Sequence, residues 1–417
     1  MPSEATPRTR QGAGRGERIP ALDGLRGLAA LVVLVHHTLL ASVPKLAGVY
    51  SAGPFPRRGS FEWLLTYTPL HVVWAGQEFV VVFFVLSGFV LSLPAVGGSR
   101  LRVASYYPSR FVRLYLPVWG ALALAAALHV AVSHGVVPGA SWWLNAHSQP
   151  LSTEAVRQDA GLLSKHAGHW ATLDVLWSLR WEVLFSAALP LLLALARWGR
   201  AREVLPLLCV AALAYHGSSE YLLELPPFVL GVALAFGRAR IERLALALGA
   251  RTLRNGAAKL ALGAACVGGL TADWWIPGVD ASAGSGAGAG AGVAAVLVAC
   301  GACLAVVGAL TVGSFAAVLR SRPMSWTGKR SYSLYLVHEP IVVAVAFAAG
   351  GRPWPLPYAL AAVTLSLAGA AVFFRCVESP SHGFARRLGA YAGRDRRDAT
   401  AGGRLDRLAA PPQVARG

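Results

Sequence analysis

The first apolar run of the chain, Leu22-Asp23-Gly24-Leu25-Arg26-Gly27-Leu28 and onward to His36-His37, carries an arginine and a histidine 11 positions apart. In a helix that interval ends roughly 20° past three full turns, so Arg26 and His37 leave the same face. The rise separates them by roughly 16 Å, about half the thickness of a bilayer's hydrocarbon core. Ionisable groups inside a membrane are costly and mark functional pathways. Histidine is also the side chain best matched to general-base work near neutral pH. The plainer alternative is a histidine satisfied by a neighbouring helix, with Arg26 as a positively charged anchor. His36 points about 100° away from His37 and is expected to pack.

Three further stretches carry chemistry. In Ser105-Tyr106-Tyr107-Pro108-Ser109-Arg110-Phe111-Val112-Arg113, the two arginines are i, i+3 and share a helix face. A pair of guanidinium forks suits phosphate, although topology and lipid-headgroup contact explain it as well. Leu176-Trp177-Ser178-Leu179-Arg180-Trp181-Glu182 holds both signs of charge two positions apart, so Arg180 and Glu182 project to different faces and are not expected to pair. Glu182 could orient an acceptor hydroxyl or the histidine, or serve structure. Ser331-Tyr332-Ser333-Leu334-Tyr335-Leu336-Val337-His338-Glu339-Pro340 offers His338, an active-site member or a packing hydrogen bonder. The candidates are therefore His37, Glu182 and His338 for catalysis and Arg26, Arg110 and Arg113 for an anionic ligand. Cys300 and Cys303 form a C-x-x-C among Val, Ala and Gly, which reads as a small-residue packing face. No metal site and no permanently bound cofactor is expected.

The elements that must position these residues are membrane helices. Of 417 residues 55% are hydrophobic and 14% charged, and the mean hydropathy is +0.52. Soluble domains carry about 25% charged residues, so lipid is part of this chain's solvent. Apolar runs predict an all-α bundle of about ten transmembrane helices around a central cavity, near 27–43, 71–93, 114–133, 173–195, 204–217, 221–237, 257–272, 291–319, 331–349 and 357–375. The fifth and seventh are short. The formal net charge of +18 lies in clusters between these runs, which marks loops on one side of a membrane and argues against nucleic acid. With the N-terminus cytoplasmic, Arg110, Arg113, Arg197, Arg238, Arg320 and their neighbours all fall inside, and both basic tails lie there too. A polar start followed by an apolar stretch could also be a cleaved signal peptide, but Pro44 beside the small residues argues for an uncleaved first span.

Between these runs, the longest outer loop, about 134–172, holds His134, His147, His166, His169, Trp142, Trp143 and Trp170. It is either an interfacial aromatic belt or a sugar-binding rim. The run Gly284–Gly292 reads as a flexible connection flowing into a helix. The chain divides into a basic cytoplasmic tail (1–20), a membrane domain (21–385) and a polar, disordered tail (386–417).

Taken with Phe83-Phe84-Val85-Leu86-Ser87-Gly88-Phe89 and Val377-Glu378-Ser379-Pro380, these motifs resemble the acyltransferase-3 family of membrane-bound acyltransferases. Arg26 and His37 are similar to its Arg-x10-His pattern, Arg110 and Arg113 to its Arg-x-x-Arg, and Tyr332 to His338 to its Ser-Tyr-x-Leu-Tyr-x-x-His. The likeness spans residues 20 to 385. It implies an inner-membrane O-acyltransferase, with acyl-CoA, acetyl-CoA first, reaching the site from the cytoplasm as donor substrate. A hydroxyl of an envelope glycan or glycosylated metabolite would accept from the other side. His37 would act as base or transient acyl carrier, and the three arginines would contact the donor. Some members carry a C-terminal esterase-like domain, which this sequence does not predict. The chain would work alone, as a homodimer or with a partner protein. A transporter or flippase, in which charged side chains line a passage, is the competing reading, and a scaffold is the blandest.

Overall fold

A computed structural model describes residues 19–51, 53–99, 101–162, 172–215, 219–249, 256–276, 289–351 and 354–392. The expectations placed on His166, His169, Trp170 and most of both tails lie outside these residues. The described structure is helical without strands. Among the described residues, eight helices are long and apolar enough to cross a membrane. They are α1 (Pro20–Ser42), α2 (Gly76–Val96), α3 (Val103–Ala131), α4 (Leu176–Ala196), α5 (Glu220–Gly249), α6 (Ala289–Thr311), α7 (Ser331–Ala348) and α8 (Pro355–Phe373). A lipid core cannot satisfy exposed backbone groups, so a spanning segment must close its own hydrogen bonds, and helices do so.

The expected count of ten is not confirmed. Two of the ten runs form helices of 14 and 15 residues, Ala201–Ala214 and Gly256–Leu270. At 1.5 Å per residue neither reaches the ~30 Å of a hydrocarbon core. Two boundaries also differ. The run drawn as 291–319 breaks at Val312, whose backbone is extended, and resumes as the short helix Gly313–Leu319. The final helix runs past 385 to Ala392 through a π-turn at Phe374–Glu378. Its continuation packs on α3, where the Ser109 hydroxyl donates to the Ala385 carbonyl at 3.0 Å.

Burial separates the inner helices from the outer ones. Of their apolar stretches 72% in α1 and 78% in α7 is buried, against 33% in α3 and 22% in α8. A helix that is apolar all round and packed all round lies at the centre of its bundle, so α1 and α7, which bear His37 and His338, form the axis. Pro20 at the first position of α1 fits a helix start, where its missing N–H costs nothing.

Close helix contacts depend on glycine. A Cβ on Gly88 of α2 would meet the Phe228 carbonyl of α5, and one on Gly231 of α5 would meet the Val85 carbonyl of α2. Gly27 and Gly328 are equally tight where α1 meets the short helix Arg322–Lys329, and Gly24 where α1 meets Leu319 at the end of the helix Gly313–Leu319. Small residues let membrane helices approach until their backbones touch. Gly88→Val should therefore overpack the α2–α5 contact, costing about 1–3 kcal/mol. Thermal unfolding in detergent should fall by several degrees relative to the parent, while a change to valine at exposed Gly199 should leave it unaltered.

Candidate active site

Two histidines that lie 301 positions apart in sequence are brought together at the centre of the bundle. His37 Nδ1 stands 2.9 Å from His338 Nε2. The second ring nitrogen of His338, Nδ1, lies 2.9 Å from the Leu334 carbonyl one turn back on α7. A carbonyl only accepts, so in the neutral pair His338 Nδ1 carries a hydrogen and its Nε2 a lone pair. His37 must then donate from Nδ1, and its own Nε2 is left as the lone pair. The backbone of α7 thus fixes the tautomer of His37 through one intervening ring. His37 is 8% exposed and His338 fully buried, so neither ring lies against lipid. His36 turns away, as its position on the helix predicts, and donates from Nδ1 to the Trp74 carbonyl at 2.8 Å while stacking on the Trp74 ring.

Two buried carboxylates hold α7, which carries His338, each by capping the start of another helix. Glu339, 1% exposed, accepts the backbone N–H of Asp174 at 2.7 Å and that of Val175 at 2.9 Å, just ahead of α4. Glu378, in the π-turn after α8, accepts the Ser333 N–H at 3.0 Å and the Ser333 hydroxyl in the first turn of α7. A negative charge is favoured there because the first N–H groups of a helix have no partner within it. Between the two clamps the Tyr335 hydroxyl meets the Ser178 hydroxyl at 2.7 Å, tying α7 to α4.

Glu339 also meets His147 Nε2 at 2.9 Å, while His147 Nδ1 donates to the Trp143 carbonyl at 2.8 Å. Both carboxylate oxygens already accept backbone N–H groups, so Glu339 is the anion and His147 the doubly protonated partner. Burial alone would lower the pKa of His147, but the hydrogen bond and charge of Glu339 outweigh it and hold the pKa above its ordinary value. The loop is thus not a simple interfacial belt. Trp143 is 3% exposed and packs between His37 and His147, with ring centres 5.3 Å and 4.4 Å away. Trp142 donates to the Ala47 carbonyl at 2.5 Å.

At the other end of the bundle, Arg110 donates from Nε to the Ser186 hydroxyl at 3.0 Å and forms an ion pair with Glu182. Glu182 is one turn along α4 from Ser178, on the side away from Glu339, so it stands with Arg110 and not with His37. Arg180 is separate, 4.0 Å from Glu220. Arg26, Arg110 and Arg113 lie within electrostatic reach of one another, and Glu378 within reach of Arg26 and Arg113. Like charges gathered in a place of low dielectric repel, and an anion bound among them would relieve that cost.

Sequence reasoning missed Glu339 and His147 as a pair and Ser333 as the partner of Glu378. It also missed a buried cluster near the start of α2, where Trp274 donates to Glu78 at 2.6 Å and stacks on His71. Buried carboxylates in apolar runs were the available signal, but their partners come from distant segments.

The His147 charge stabilises the fold fully below its unfolded pKa of about 6.5 and is lost as pH rises through its higher folded value. His147→Gln should therefore lower thermal stability most in mildly acidic detergent solution. The gap to the parent should close as the buffer is made alkaline, and a pH-independent gap would refute the charge assignment.

No curated protein and no solved structure matches the chain. Residues 19–375 match the acyltransferase-3 family model, described as an acyltransferase domain. That match takes in α1 to α7 and α8 with both histidines and all three arginines, and the chain belongs to this family of membrane acyltransferases.

Proposed function

We propose that the protein is an O-acyltransferase of the inner membrane that moves an acyl group, acetyl first, from cytoplasmic acyl-CoA to a hydroxyl of an envelope glycan or glycosylated metabolite. The observation that carries this reading is the directed pair His37–His338, which makes His37 Nε2 the lone-pair nitrogen of that ring. It is supported by the arginine cluster at one end and the polar loop at the other. The excess of basic residues in the loops at the Arg26 end agrees with both termini being cytoplasmic.

In this reading Arg26, Arg110 and Arg113 hold the phosphates of coenzyme A, and Glu182 with Ser186 keeps the Arg110 fork oriented. The pantetheine arm runs along α1 toward His37. His37 Nε2 takes the proton of the acceptor hydroxyl as the oxygen attacks the thioester carbonyl. The new C–O bond forms and the C–S bond breaks. The proton then passes from His37 to the departing thiolate, so the products are the ester and free coenzyme A with no net proton released. His338 shares the charge that His37 gains, because its Nε2 accepts the Nδ1 hydrogen throughout. It is a positioning residue, and it touches neither substrate.

His37→Ala should lower transfer from acetyl-CoA at least about a hundredfold, the lower range for a lost general base, with the protein still inserted and monodisperse. Full activity would sink the mechanism. Arg113→Ala should raise the KM for acetyl-CoA about tenfold or more, as the loss of a hydrogen bond to a charged group implies, and leave kcat near the parent value. His338→Ala should instead lower kcat with the donor KM kept, since only the orientation of the base is lost. Mass spectrometry of envelope glycans and secreted products from a deletion strain should show one species lighter by an acyl group. A strain that loses a whole exported species, and not only its acyl group, would favour transport, and one whose envelope and secretion are unaltered would favour scaffolding.

A further inference from the structure

Trp143 occupies a place that neither donor binding nor proton transfer explains. It lies on the five-residue helix Trp142–Ala146, next to His37 on one side and His147 on the other. Beyond His147 is a crevice of about 30 Å³, lined by His129, His134, His147, Thr172 and Glu339 together with apolar side chains of α3 and α7. That volume admits a water molecule or one hydroxyl group. In its wall the Thr172 hydroxyl is buried and has no hydrogen-bond partner among the described residues, a cost that a polar visitor would remove. The order from loop to centre is therefore crevice, His147, Trp143, His37.

The segment that carries Trp143 buries Trp143 and Leu144 in the core and is fastened by polar contacts at its edges. Trp142 donates to Ala47, Asn145 exchanges two hydrogen bonds with the backbone of Val137 at 2.9 and 3.1 Å, and His147 holds Glu339. These polar fastenings can be traded for the hydrogen bonds of an incoming polyol at little net cost, so what displacement must overcome is the apolar burial of Trp143 and Leu144.

Resting on the acyltransferase reading above, we propose that this crevice is where a polyhydroxylated acceptor such as a sugar enters, and that Trp143 is a plug that keeps water from His37 until the acceptor displaces it. A base that activates a hydroxyl also activates water, and water attack would turn acyl-CoA into free acid and coenzyme A. The C–S bond would break, a C–O bond to water would form, and the proton taken by His37 would return to the thiolate. Closed sites suppress this side reaction by excluding water. The plug must stay in place when donor is bound alone.

The test uses the full-length protein in detergent with acetyl-CoA and no acceptor, and reads the release of free thiol. Trp143→Ala should release coenzyme A severalfold faster than the parent, Trp143→Phe should stay at the parent rate, and Trp143→Ala combined with His37→Ala should return to background. Asn145→Ala, which loosens the fastening and leaves the ring, should show the same increase and covers a Trp143→Ala protein that does not fold. The plug is overturned if both Trp143→Ala and Asn145→Ala hydrolyse no faster than the parent while the parent still transfers acyl groups in cells. Fast hydrolysis that survives the loss of His37 also overturns it. Failure of the function itself would look different, since the parent would then transfer nothing in cells either.

Discussion

A histidine in a bilayer is useful only if its hydrogen goes to the right nitrogen, and here that choice is made by a backbone carbonyl. Leu334 can only accept, so it takes the Nδ1 hydrogen of His338, which leaves Nε2 to accept from His37. The consequence reaches across two helices to the lone pair on Nε2 of His37. Water would scramble these roles by offering either ring an alternative partner. Burial of both rings removes that freedom, which is why the pair lies on the two most enclosed helices of the bundle.

Such a pair needs its helices held in register, and the protein meets that need with charge instead of apolar packing alone. Glu378 caps α7 and Glu339 caps the start of α4. An isolated carboxylate in a membrane interior would be very costly. Each of these is answered by otherwise unpaired N–H groups, and Glu339 also by His147. The carboxylates thus satisfy helix ends that lipid could not, and the helix ends satisfy the carboxylates. Glycine contacts such as Gly88 against α5 supply the close approach that makes the partners reachable.

The two ends of the bundle differ in chemical character. One gathers three arginines within reach of the carboxylates of Asp23, Glu182 and Glu378, a place built of paired charge. The other presents imidazoles, hydroxyls and indoles on a loop held by hydrogen bonds at its edges and by buried Leu144. Between them lies the axis occupied by His37. A donor that is polyanionic at its head and apolar along its arm suits the first end, and an uncharged hydroxyl compound suits the second.

Much of this was legible in the order of residues. Apolar runs near 20 residues demanded spanning helices because a lipid core satisfies no backbone group. The spacing of Arg26 and His37 placed them on one face by helix geometry alone, and Arg110 beside Arg113 followed in the same way. The short runs left the helix count unconfirmed, because an apolar composition does not say whether a segment is long enough to cross. What tertiary structure alone decided was partnership. His338 with His37, Glu182 with Arg110, Glu339 with His147 and Glu378 with Ser333 are separated by 301, 72, 192 and 45 positions. Local sequence determines which face a side chain leaves by, because the helix repeat is a property of the backbone. It does not determine what that face meets, because helix packing is set by the shapes and small residues of every surface in the bundle together.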